Sequence, residues 1–152
     1  MGYDAKIKEL GLELPPAPTP VATYVPAVLA DHLLFLSGVL PVRNGQVAFT
    51  GKLGRDLTVQ QGIEAARVAA LNALAIAKQE LGSLDRIARV VKMVGHVASA
   101  EGFTDQPQVM NGASDLLVAI FGEAGRHARV AIGAAELPRC AAIEVELILA
   151  VT

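Results

Sequence analysis

Apolar positions recur along this chain with two different periods, and the switches between them mark out its elements. Ile63, Ala66, Ala70, Leu74, Ala77 and Leu81 return at three- and four-residue spacing, which predicts one apolar helix face. Both ends of that helix are written in the sequence. Thr58-Val59-Gln60-Gln61 fits a capping box, with Gln61 reaching back to the Thr58 amide, and Gly82 supplies the C-cap. A second helix is expected to start near Pro107, a favoured first helical position, to carry Val109, Leu116, Leu117, Ile120 and Phe121, and to end around Gly122–Gly125. Period two takes over near the C-terminus. There Ile143, Val145, Leu147, Leu149 and Val151 alternate with Glu144 and Glu146, a strand whose two faces differ chemically.

The remaining stretches fill in around these. Residues 86–98 read as a mostly buried strand, and residues 127–135 and 141–151 as the last two, separated by Glu136-Leu137-Pro138-Arg139-Cys140. From Thr23 to Val42 the pattern is again β, with Tyr24-Val25 leading into Leu33-Leu34-Phe35-Leu36. Asn44-Gly45, between Val42 and Val47, predicts a tight hairpin turn. Residues 46–57 read as a loop around Gly51 and Gly54. Residues 4–11 suit a short helix, and Leu14-Pro15-Pro16-Ala17-Pro18-Thr19-Pro20 enforces an extended segment. The expected organisation is an N-terminal arm over residues 1–20 and one domain over 21–152.

The order ββαβαββ implies an α+β fold, a mixed sheet with two helices packed on one face. No third long helix is left to cover the other face. Composition points the same way, because 53% of the 152 residues are apolar and only 18% charged, below the roughly 25% typical of soluble domains. A homo-oligomer that buries the second face answers both observations.

Other destinations for the apolar surplus fail. Arg67, Asn72, Lys78, Glu144 and Glu146 interrupt every apolar run before it reaches the ~18 residues of a membrane span. A net charge of −2 with scattered basic residues gives no stripe for nucleic acid. The opening Met1-Gly2-Tyr3-Asp4-Ala5-Lys6 lacks a signal-peptide core and fails the myristoylation pattern. The single cysteine, Cys140, suits a reducing compartment, so a cytoplasmic protein is expected.

Candidate chemistry narrows by elimination. His32, His96 and His127 have no metal-ligand spacing, and Cys140 follows Pro138-Arg139 without a base beside it in sequence. Phosphate-binding glycine loops and a Gly-x-Ser-x-Gly elbow are absent. What remains is Arg129 in one apolar strand and Glu144 in the last. Charges there either face solvent, pair structurally or build a site, and the pattern alone leaves those readings open. Arg126 is a rival arginine, in the loop before the strand; Tyr24 and Ser37-Gly38 bound the first strands.

The segment Arg129-Val-Ala-Ile-Gly-Ala-Ala-Glu-Leu137-Pro138-Arg-Cys-Ala-Ala-Ile-Glu144-Val-Glu146 resembles the C-terminal signature of the Rid (reactive intermediate deaminase), or YjgF, family. Tyr24-Val25-Pro26-Ala27-Val28, Phe35-Leu36-Ser37-Gly38-Val39-Leu40-Pro41, Gly82-Ser83-Leu84-Asp85 and Met110-Asn111 are similar to further family motifs, in register over residues 22–151. Val130 stands where the family commonly has Ser or Thr, Val39 where it has Gln, and the first twenty residues are longer than in compact members.

The resemblance implies a chorismate-mutase-like homotrimer with clefts between neighbouring subunits, working without cofactor or metal. It implies hydrolysis of enamine and imine intermediates such as 2-aminoacrylate to 2-keto acids and ammonia. Arg129 would hold the substrate carboxylate, Glu144 would activate water, and Tyr24 would close the cleft. Ser37, Gly38, Asn111 and Ala131 would line the substrate site. Two other readings stay open: a 2-keto acid binding or regulatory protein, and the endoribonuclease or translation-inhibitor role in older family labels.

Overall fold

In a computed structural model, residues 2–20 and 22–152 are described; the domain boundary expected at residue 21 lies outside them. Helix α1 spans Tyr3–Glu9, α2 Val59–Leu81 and α3 Gln106–Phe121. Strands β1 (Ala27–Ala30), β2 (Leu33–Leu36), β5 (Ile87–Ala98), β6 (Ala128–Ala134) and β7 (Ile143–Val151) form one sheet in the order β1-β2-β7-β5-β6. Only β5 and β6 run parallel, joined through α3. A separate small hairpin pairs β3 (Val42–Arg43) with β4 (Gln46–Val47). The mixed sheet with its helices on one face is the expected α+β fold.

Local signals in the sequence produce the expected local structures. Thr58 accepts from the Gln61 amide while the Gln61 side chain accepts from the Thr58 amide, closing the capping box, and Gly82 takes the left-handed conformation at φ 82°. Asn44 and Gly45 both have positive φ, the turn that matches hairpin twist. The first strand is shorter than its apolar pattern. Pro26 cannot donate to a ladder, so Tyr24 and Val25 lie outside β1, and Pro26 uses its carbonyl to accept from the Ser37 amide.

The face of α2 is wider than its spacing predicts. Besides Ala66, Ala70 and Leu74, residues Val68, Ala69, Ala73 and Ile76 are buried. The helix is walled on several sides: by β7, by α3 and by the N-terminal segment. Small residues permit the close crossing with α3, where a side chain on Gly112 would strike the backbone of Ile63. Asn72, read in the sequence as a polar interruption, is buried and donates to the carbonyls of Leu40 and Val42. It ties the segment leading into β3 onto the helix.

Helix α1 belongs to the same body. Ile7 is buried, Tyr3 packs edge-on against Phe121 at 4.6 Å, and Asp4 bonds Ser83 and Lys78. From there residues 12–20 run across the molecule as a strap, with Leu12, Leu14 and Ala17 packed on the core.

The other sheet face is bare. Register places Val28, Phe35, Ile148 and Lys92 in one row across it, and His96, Glu144 and Ile132 in another. Val28, Phe35, Val130 and Ile132 are 40–52% exposed there. A sheet face that leaves this much apolar area open calls for a covering layer.

Candidate functional site

The predicted site residues fall into two groups at separate places on the chain. Arg129 lies on β6, the edge strand, opposite the buried Met93. Alternation therefore turns its side chain to the helix side of the sheet. Its guanidinium donates to Asn111 Oδ1 at 2.9 Å, Ser114 Oγ at 3.1 Å and the Pro107 carbonyl at 3.2 Å, all on α3. Among the described residues no carboxylate pairs with it. A cation oriented by neutral acceptors alone is poised for an anion. Arg126, the rival, is spent on Glu123 at 3.1 Å and is exposed.

Ser114 and His127 support this arginine, and nothing in their sequence spacing reveals it. His127 Nδ1 lies 2.6 Å from the Gly125 carbonyl and must donate to it, so in the neutral ring Nε2 accepts from Ser114 at 3.0 Å. The serine oxygen is thereby left to accept from Arg129. Ala131, two residues along β6, is partly buried against the core. Val130 lies on the bare face, so the family's usual hydroxyl residue would not touch the guanidinium from there.

The second group surrounds Glu144. This residue pairs with His96 across β5 and β7 and points from the bare face, opposite in sense to Arg129. Beside it the β2–β7 ladder breaks. Phe35 pairs with Ile148, and contact resumes only at Val39 and Val145, so β2 carries one extra residue in between. Such a bulge re-aims side chains and opens space. Gly38 occupies it, and a side chain there would collide with the Glu144 carboxylate. Ser37 donates its hydroxyl to the Val25 carbonyl at 2.7 Å, which fixes the segment carrying the half-exposed Tyr24. Among the described residues no backbone carbonyl accepts from the Gly38 amide.

Burial holds the Glu144 carboxyl above its ordinary range; repulsion from Glu146 adds to this and the His96 ring opposes it. His96 meanwhile contacts Glu146 at 2.6 Å. Tyr24, Ser37, Gly38 and Glu144 share a cleft of ≈ 1030 Å³. Arg129, Asn111 and Ala131 are not in it; Arg139 is. One copy of the chain thus assembles a basic half-site and an acidic half-site but does not bring them together. Among the described residues no group of three metal-ligating side chains occurs, and no helix is long and apolar enough to cross a membrane.

Fold and geometry define an α+β protein of chorismate-mutase-like architecture, with an anion-seeking arginine on the edge strand β6 and a partly desolvated carboxylate on the central strand β7. The chain belongs to the YjgF (Rid) family: residues 4–150 match the family model described as "YjgF/chorismate_mutase-like, putative endoribonuclease". Protein TCP17 of Trypanosoma cruzi is 45% identical over 146 residues, 95% of this chain and 91% of that one. The crystal structure of Atu1372 from Agrobacterium tumefaciens, of unknown function, superimposes with TM-score 0.92 at 44% identity, covering 99% of this chain and 92% of that one. A "putative endoribonuclease" of Shewanella oneidensis MR-1 gives TM-score 0.96 at 34% identity, covering 99% and 100%.

Proposed function

We propose that the protein is an imine and enamine deaminase whose active site forms where copies of the chain meet. The observation that carries this is the split just described. Among the described residues Arg129 has no anionic partner, and the Glu144 cleft has no carboxylate-binding fork from Arg129. Arg129 sits on the edge strand β6 and turns toward the helices, whereas Glu144 sits on the central strand β7 and turns to the bare face. A head-to-tail ring joins unlike surfaces and closes on itself, and three copies make the homotrimer the family resemblance implies. The bare apolar face supplies the contact area.

In the assembled cleft, Arg129 of one subunit grips the carboxylate of a 2-imino acid through two parallel bonds. Asn111 and Ser114 keep the fork in orientation, with Ala131 beside it. Across the interface Glu144 orients a water and takes its proton as the water oxygen bonds to the imine carbon. The proton passes to nitrogen, the carbinolamine collapses, and ammonia leaves a 2-keto acid. Tyr24, Ser37 and the Gly38 amide, which line the same cleft, would hydrogen-bond the nitrogen or the water. The imine carbon is already electrophilic, so positioning and proton transfer suffice. A carboxylate with a raised pKa is the better base for that step.

The test is consumption of imine formed in situ by an amino-acid oxidase or dehydratase, with semicarbazide trapping what remains. Wild type should lower the semicarbazone yield and Arg129→Ala should not. No effect from wild type, together with tight 2-keto acid binding, would establish the family fold here as a metabolite-binding protein instead. Cleavage of RNA is the weaker reading for this chain, with 13 basic against 15 acidic residues and no basic stripe.

A further inference from the structure

The cleft at Glu144 is much larger than a three-carbon imine requires. Within a single copy, with the side that a partner would complete still open, it measures ≈ 1030 Å³, a volume at the upper end for small-molecule pockets. A three-carbon acid displaces on the order of 100 Å³, a few waters' worth. The surplus extends from Glu144 into the space between α2 and the proline strap.

Its walls are mostly apolar. Val68, Leu71, Asn72 and Ile76 line it from α2, a stripe set by the three- and four-residue spacing of a helix. Residues 13–20 of the strap face them; four prolines there fix the backbone before any ligand arrives. The strap is anchored through Leu12 and Leu14 on the core and through the Asp4 bonds to Lys78 and Ser83. Asn72 pins the third wall by its bonds to Leu40 and Val42. Polar groups also line the cleft. Glu144, Ser37, Tyr24, Arg43 and Arg139 are among them, with Arg43 committed to Glu64 at 2.9 Å.

We infer that this extension is a side-chain subsite, and that the substrate is a 2-imino acid bearing a bulky apolar side chain, branched or aromatic. Its imine carbon meets Glu144 while its side chain lies between Leu71 and the proline strap. The assignment rests on the deaminase reading for its chemistry and names the substrate class of that site. A pocket walled by prolines and aliphatic groups stabilises such a side chain by removing it from water and gives nothing to the methylene of aminoacrylate.

The experiment compares imines generated by an amino-acid oxidase from alanine, leucine and phenylalanine, followed by semicarbazide trapping. The ratio of kcat/KM for the bulky imines over the alanine-derived one should exceed about tenfold, the lower end for discrimination by a hydrophobic pocket. Leu71→Trp, which fills the subsite, should bring that ratio to about one. Leu71→Ala, which enlarges it, should move the preference from the leucine-derived toward the phenylalanine-derived imine. Each variant is first checked for the wild-type oligomer by size exclusion, and either one suffices if the other misfolds. Hydrolysis of all imines at equal efficiency, unmoved by the variants, would overturn the subsite and leave the deaminase reading standing. Hydrolysis of none would overturn the deaminase reading. Calorimetry with pyruvate and phenylpyruvate then decides the subsite: tenfold tighter phenylpyruvate binding that Leu71→Trp removes supports it, and equal binding overturns it.

Discussion

Glu144 is suited to proton transfer because its position is unfavourable for a charge. Burial, reinforced by Glu146 and opposed by His96, raises its pKa above the ordinary 4.5. The folded state therefore binds its proton more tightly than the unfolded chain does. Its contribution to stability is fullest below the unfolded pKa and is lost as pH rises through the folded one. At neutral pH the charged side chain costs stability. Glu144→Gln should accordingly lower kcat/KM by about 10²–10⁴ while raising Tm at pH 7 by at most a few °C, the only partial burial of the carboxyl limiting the gain. Calorimetric melts at pH 4 and pH 7 check the second effect, whose gain should shrink at the lower pH. In the wild type the acid limb of kcat/KM should lie above the ordinary carboxylate range, because only the deprotonated base works. For Arg129 the geometry of the fork matters as much as its charge. Arg129→Lys should lose about 10²-fold in kcat/KM despite keeping the charge, since an ammonium cannot bond a carboxylate and the α3 acceptors in one plane. Steady-state kinetics on the same imine panel measures it.

Elements whose ends carry their own hydrogen-bond chemistry were legible in the chain. The Thr58–Gln61 box and Gly82 bound α2, Asn44-Gly45 turns the small hairpin, and the alternation around Glu144 gives β7. What was hidden depends on partners distant in sequence. Alanine on α2 carries no mark distinguishing the sheet side from the strap side, so its second buried face was not visible. The extra β2 residue that makes room for Glu144 exists only relative to β7. Ser114 and His127 act through Arg129, and their own neighbours say nothing of it. Asn72 read as an interruption because its partners, the Leu40 and Val42 carbonyls, lie about thirty residues upstream. Replacing it by Ala leaves both carbonyls without that donor and should destabilise the fold by about 1–3 kcal/mol. At this size that is a Tm lower by several °C, measurable by scanning calorimetry.

At the scale of the whole molecule, the bare sheet face and the divided site are two expressions of one incompleteness. Val28, Phe35, Val130 and Ile132 offer apolar area that a single copy leaves exposed. Arg129 and Glu144 leave the same sheet in opposite directions. Phe35→Lys, a charge in the middle of that face, should convert the assembly to monomer in analytical ultracentrifugation and remove activity with it, although Phe35 takes no part in the chemistry. The most direct measurement is complementation between two inactive variants. Arg129→Ala and Glu144→Gln are purified separately, unfolded together and refolded as a mixture, so that some interfaces join an intact arginine to an intact glutamate. Random assembly at equal proportions makes about a quarter of the interfaces whole, and imine hydrolysis should return to about that fraction of wild type. Full inactivity of a mixture shown to contain hybrid oligomers would contradict a site shared between copies.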